Sequence, residues 1–363
     1  MSIFQSQAQK RQSAAKLGKL DDFFIPADEQ DWSEIFQRPK LRDKITNTAH
    51  TIHTTPADWV ASASDASHVQ YIMLRSYSPR TATIKELHDT CHRFGFTQEV
   101  RDRADDLLAA STEWSRYLQL LDTDDSVDNI PDTSDKWPGA FSIVKWLQEQ
   151  TMTVRGVHDR EVMQVTSEGT GREPGVERRR RPRRVAQLEE AEDEEIPNAA
   201  VIALLQSISH FAEAKLEWTF NRVHFQCEFG NKEFSAFTDG GLRSKSTMDI
   251  LAIVEVKKRM RTDNTPPILI QEACEVVGWL MNYSVRMALF NDHFMLVSQD
   301  RHEIFVTFAP FKRGYEYYLR NGTTTNDFLV MKAFGPFRTA YRKDMEEFGR
   351  IILAATLIVK PAR

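Results

Sequence analysis

The chain has little of what most compact functional signatures are built from. Its three cysteines, Cys91, Cys227 and Cys274, form no CxxC pair and leave an odd one over, which argues against a disulfide framework or a cysteine zinc site and for a reducing compartment. No apolar run approaches the roughly 20 residues that a membrane-spanning helix needs, the best being Ile351 to Val359. The start, MSIFQSQAQKRQ, lacks the apolar centre of a secretory signal. An intracellular protein without a membrane partner is therefore expected. Metal-ligand spacing is scarce too. His88, Cys91 and His92 fall at i, i+3 and i+4 with no fourth ligand nearby, so they read as ordinary helix surface and core. The stretch LDTDDSVDNIPDTSD lacks the central glycine and terminal glutamate of an EF-hand loop and reads as a solvated loop.

What is present is uneven charge. The net charge is -5, but from Ile196 onward 21 Lys and Arg face 18 Asp and Glu, so the acidic excess lies entirely in the first 195 residues. A basic second half suits a polyanionic partner, although a surplus this small is also an unremarkable surface. Between 153 and 195 the composition shifts most sharply: SEGTGREPG, then RRRRPRR from Arg178 to Arg184, then the acidic run EEAEDEE from Glu189 to Glu195. This reads as a charged flexible linker whose arginines would serve nuclear import or be neutralised by the acids that follow. Residues 1–39, rich in Gln, Ser, Ala and charge, read as a mobile tail, and 40–152 as a mainly helical region with Thr97 capping one helix.

The most informative stretch is FSAFTDGGLRSKSTMDILAIVEVKKRM, from Phe234 to Met260. Ile250 to Val256 is too short for a typical helix and rich in β-branched residues, so it predicts a strand buried on both faces. Alternation puts Leu251, Ile253, Glu255 and Lys257 on one face. A carboxylate and an ammonium thus emerge side by side from an apolar strand. Glu233 to Thr238 reads as its antiparallel partner, with Gly240, Gly241 and the Ser/Lys/Ser/Thr run as the turn, which brings Asp239 to the Glu255 end. Burying such charge needs compensation. Hard divalent ions take carboxylate and carbonyl oxygens, so Asp239, Glu255 and the Val256 carbonyl form a candidate site for Mg²⁺ or Mn²⁺, with Lys257 beside the attacking water. The competing reading is a surface hairpin with an ordinary Glu255/Lys257 pair and Asp239 as a turn residue.

Asp239, then Glu255-Val256-Lys257, then Gln271 resembles the ordered motif of the PD-(D/E)XK nuclease superfamily, and the wording TDGG, LAIVEVKKR and QEACEVVGWL is similar to its fungal nuclease-like members. The likeness spans roughly residues 198 to 310. It implies an α/β fold with a restriction-endonuclease-like αβββαβ core and a mixed sheet, here following an N-terminal helical extension and occupying 196–363. It also implies Mg²⁺ (or Mn²⁺) dependence and hydrolysis of DNA or RNA by Asp239, Glu255, Lys257 and Gln271. Thr238 stands where the superfamily name has proline, and IPNAAVIALLQSISH offers no glutamate of the kind many members carry on the first core helix. The resemblance turns Gln271 toward the site; the sequence leaves Glu272 as a competitor.

Lys258, Arg259 and Arg261 follow the proposed catalytic strand and would contact phosphates or simply solvate its end. Downstream, His293 to Ser298 and Glu303 to Phe308 predict a hairpin, with His293 and His302 as surface or turn residues. Phe311 to Tyr318 mixes aromatics and cations and reads chiefly as core with a charged rim, and Phe337 to Val359 as a closing helix. Beside the nuclease stands a second function class, a nuclease-fold module that binds nucleic acid or protein without cleaving. A third is a scaffold working through its charge blocks.

Overall fold

The structure is a computed structural model describing residues 23–38, 41, 50–123, 126–152, 193–263, 265–282 and 289–359. The arginine run Arg178 to Arg184 and nearly all of the linker lie outside the described residues. In chain order the elements are α1 (Glu29–Phe36), α2 (His68–Met73), β1 (Ser76–Tyr77), α3 (Ile84–Thr90), α4 (Gln98–Ala109), α5 (Thr112–Thr123), α6 (Phe141–Met152) and α7 (Glu195–His210). There follow β2 (Leu216–Thr219), β3 (Val223–Phe229), β4 (Lys232–Thr238), β5 (Gly240–Ser244), β6 (Ile250–Lys257) and α8 (Thr265–Asn282). The chain continues through β7 (His293–Asp300), β8 (Glu303–Pro310), α9 (Arg313–Asn321), β9 (Leu329–Val330), β10 (Lys332–Arg338) and α10 (Arg342–Val359).

Six strands form one mixed sheet in the order β10-β8-β7-β6-β5-β2. Only β6 and β7 run parallel, joined by the α8 crossover, and the other neighbours are antiparallel. The central strands are apolar on both faces because both faces are covered. On one side Ala252, Val254, Val256, Met295 and Val297 pack with α7, α10 and the helices α4 to α6. On the other, Ile253, Phe294 and Leu296 pack with α8, α9, the β3-β4 hairpin and the N-terminal segments. No described helix is long and apolar enough to cross a membrane.

Several sequence expectations change here. Residues 29–36, read as part of a mobile tail, form a helix capped by Asp28, whose Trp32 and Ile35 are buried against the α8 side. Between 50 and 152 the described residues carry the helices α2 to α6, and Thr97 accepts the Val100 N–H, but these helices share cores with the sheet. Phe337 belongs to β10, so the closing helix starts only at Arg342; Pro336 sits inside that strand, at a break in its register with β8. The α8 helix that follows β6 begins at Thr265 and places Pro266 and Pro267 in its first turn, where the missing N–H of a proline costs nothing. Tyr315 and Tyr318, from the aromatic stretch, are buried and donate to the Leu74 and Met73 carbonyls.

The largest correction concerns the partner of β6. It is β5, the Gly-Gly segment expected to be a turn, whereas β4 pairs with β3 in a separate hairpin. A bulge accompanies it: Leu242 pairs with Ala252 and Arg243 with Ile250, leaving Leu251 unpaired. An extra residue reverses the alternation, so Leu251 packs with Ala252 and Val254 instead of sharing the Ile253 face.

Candidate active site

The site lies where the chain leaves the β3-β4 hairpin and enters the main sheet. Asp239 is the joint. Its N–H donates to the Val254 carbonyl at 2.9 Å, and its Oδ2 accepts the Val256 N–H at 3.0 Å. Its carboxylate thus stands in for a strand residue and continues the ladder past the end of β5. Gly240 makes the joint possible. A Cβ there would lie 2.5 Å from the Thr219 carbonyl oxygen and 2.9 Å from Ile202, closer than real side chains come.

From β6, Glu255 projects toward α8. It is 1% exposed. Its Oε1 accepts from the Lys257 ammonium and from Gln271 Nε2, the latter at 2.5 Å. Gln271 also donates to Glu275 Oε1 at 2.9 Å, one turn on along α8. The choice between Gln271 and Glu272 is therefore made by helix rotation. Glu272 turns away and receives Arg261, which also reaches Asp300 at 2.6 Å and Ser298 at 2.9 Å and lies over the Phe305 ring. Arg261 is 5% exposed. That corrects its reading as a phosphate contact: its charge is spent on two buried carboxylates. Lys258 and Arg259 are half-buried beyond the end of β6.

Burial raises the Glu255 carboxyl, pushed up to about 8 despite the opposing pull of Lys257, with Asp239 adding to the rise. Glu275, wholly buried and facing Glu255, is raised well above the ordinary range by the same burial and by Glu255 itself. Burial opposes the Lys257 charge, yet Glu255, Glu275 and Glu194 together outweigh it and hold its pKa above the usual lysine value. Like carboxyls side by side cannot both ionise cheaply. Oε2 of Glu255 and Oε2 of Glu275 are buried with no other donor in reach, and the two carboxyls hydrogen-bond each other when one of them carries a proton.

Of the Asp239, Glu255 and Val256 oxygens, Glu255 Oε2 is the one left without a donor, where a hard cation would be taken. An ion bound there would displace the proton that burial keeps on the Glu255/Glu275 pair. Val256 turns its N–H toward Asp239, and a strand residue points its N–H and carbonyl to the same side, so the Val256 oxygen also faces this edge. Among the described residues no three His, Cys, Asp or Glu side chains cluster tightly enough to hold an ion unaided; two carboxylates, a carbonyl and water are the set available.

Four neighbours escaped the sequence reading. Glu194, assigned to the linker, is the N-cap residue of α7 and lies 3.8 Å from Lys257; the first helix starts earlier than its apolar pattern implied and brings an acid with it. Asn198, one turn on, donates to the Asp239 carbonyl at 3.3 Å and keeps its own buried Oδ1 without a donor. Arg222 reaches Asp239 Oδ1 at 3.4 Å from an exposed position. Glu275 had only its i+4 spacing from Gln271 to mark it. His293, by contrast, is used locally, against the Phe290 and Asn291 carbonyls.

Comparison with protein-family models, with curated proteins and with solved structures gives no match to this chain.

Proposed function

We infer that the chain is a nuclease that hydrolyses phosphodiester bonds of DNA or RNA with the help of Mg²⁺ or Mn²⁺, on the restriction-endonuclease-like αβββαβ plan its motifs resemble. The observation that carries this reading is the meeting of Asp239, Glu255 and Lys257 at one largely buried point, with Glu275 facing Glu255 across it.

Asp239 and Glu255, with the Val256 carbonyl, would hold the ion, which when bound lowers the pKa of water and offsets charge on the phosphate. The remaining work falls to the chain. Lys257 stays protonated, orients the attacking water and stabilises the negative charge that builds on the phosphate oxygens. Gln271 fixes the Glu255 carboxylate from the helix side, and Glu194 restrains the Lys257 ammonium from the other. Lys258 and Arg259 would meet the phosphates that flank the scissile one. Nuclear entry through Arg178 to Arg184 belongs to the same reading.

A second reading, a binding module without cleavage, draws on Arg222, which already engages the Asp239 oxygen not used by Val256. Cleavage decides between them. The full chain with Mg²⁺ or Mn²⁺ is expected to degrade labelled single- or double-stranded DNA or RNA. Asp239→Ala and Lys257→Ala are each expected to abolish the activity while leaving the circular-dichroism spectrum unchanged. Undiminished cleavage by either variant removes the catalytic assignment.

A further inference from the structure

The β3-β4 hairpin carries an aromatic surface that the proposed chemistry does not use. Its inner residues, Phe225, Cys227, Phe229, Phe234 and Ala236, are buried against α8. Its outer face is different. His224 and Phe237, cross-strand partners, stack with centroids 4.4 Å apart and planes 16° from parallel. Phe237 is 50% exposed, and Phe220, just before β3, is 58% exposed.

Singly exposed apolar side chains are common and mean little. This group is distinguished by its place. Phe237 lies near the end of β4, two residues before Asp239, Thr219 packs its backbone against Gly240, and Arg222 bridges from the hairpin to the Asp239 carboxylate. The stacked His224/Phe237 pair and the Arg222 guanidinium at the start of the hairpin therefore lie next to the candidate metal ligand, with the exposed Phe220 two residues before Arg222.

We propose that this group, Phe220, Arg222, His224 and Phe237, is a stacking platform for unpaired nucleobases, so that the substrate class is single-stranded nucleic acid entering past Asp239; the link to cleavage rests on the nuclease reading above. Ring faces take any base but only one whose own face is free, which a paired and stacked duplex does not offer. Arg222 supplies the charge complement: a phosphate arriving beside the stacked base competes for the guanidinium and frees Asp239 for the ion. The strand leaves before the hairpin tip, where Glu228 and Glu233 face each other across the two strands, exposed and repelling phosphate.

The test is binding, which needs no cleavage. Full-length Lys257→Ala protein is titrated without metal against fluorescent single-stranded and duplex oligonucleotides of equal length, and compared with Lys257→Ala carrying Phe237→Ala or Phe237→Trp. A base-stacking ring is expected to make the Phe237→Ala change cost roughly tenfold or more in single-strand affinity, with duplex affinity little changed and the tryptophan variant restored. No single-strand binding, equal loss for both substrates, or no loss at all overturns the platform. If the wild-type chain cleaves nothing yet binds single strands through Phe237, the nuclease reading falls and the platform stands.

Discussion

The Glu255 carboxyl makes the stability of this protein depend on pH in an unusual direction. In the unfolded chain it titrates near 4.5, and in the fold burial moves it to about 8. Between those values the folded state holds a proton that the unfolded state has released, so stability falls as pH rises through this window and levels off above it. At about 1.4 kcal/mol per pH unit the ionised group costs the fold on the order of 4 to 5 kcal/mol at pH 8.5. Glu255→Gln removes the ionisation and keeps the shape: its carbonyl can still accept from Lys257 and Gln271, and its amide takes the place of Oε2 beside Glu275. With an unfolding entropy of roughly 2 cal/mol/K per residue, 363 residues convert that cost into a melting-temperature rise of about 6 °C. Thermal unfolding followed by circular dichroism at pH 5 and pH 8.5, in chelator, is the assay. The variant should match wild type at pH 5 and exceed it at pH 8.5. Added Mg²⁺ should then stabilise wild type and leave the variant where it was. Equal melting temperatures for the two proteins at pH 8.5 would refute both the burial argument and the cation that answers it.

Two further outcomes follow from packing. Arg261→Ala leaves Glu272 and Asp300 buried without their cation and is expected to destabilise by about 3 to 5 kcal/mol in urea titrations; a loss below about 0.5 kcal/mol would return Arg261 to the surface role its sequence position suggested. Trp32→Ala removes a buried ring that donates to the Ile72 carbonyl at 3.0 Å and packs on Phe328, at an expected cost of about 3 kcal/mol. An unchanged urea midpoint would mean that α1 is no part of the cooperative unit.

How much of this was legible in the chain depends on how local the deciding force is. The buried strand at Ile250 to Val256 was readable because a short, β-branched apolar run has few other uses, and the Glu255/Lys257 pairing followed from alternation alone. The β7-β8 hairpin and the Thr97 cap were equally local. The pairing partner was not. Gly240 and Gly241 look like a turn by propensity, yet a glycine is also the residue that lets two strands and a helix crowd together, and only the contact with Thr219 shows which use applies. Glu194 was hidden for a related reason: an acidic run reads as solvated until a lysine from a strand 63 positions away comes within 3.8 Å.

Composition and periodicity by themselves determined the α/β character, the central strand and the Glu255/Lys257 pair that shares one of its faces, because each rests on side-chain chemistry over a few residues. The tertiary structure alone decided which acids meet. It turned Gln271 rather than Glu272 toward Glu255, took Arg261 into the core, brought Glu275 and Glu194 in, and laid an aromatic hairpin beside Asp239. Those choices are set by the rotation of α8, the start of α7 and the pairing of β4 with β3, and each is fixed by packing between segments set apart along the chain.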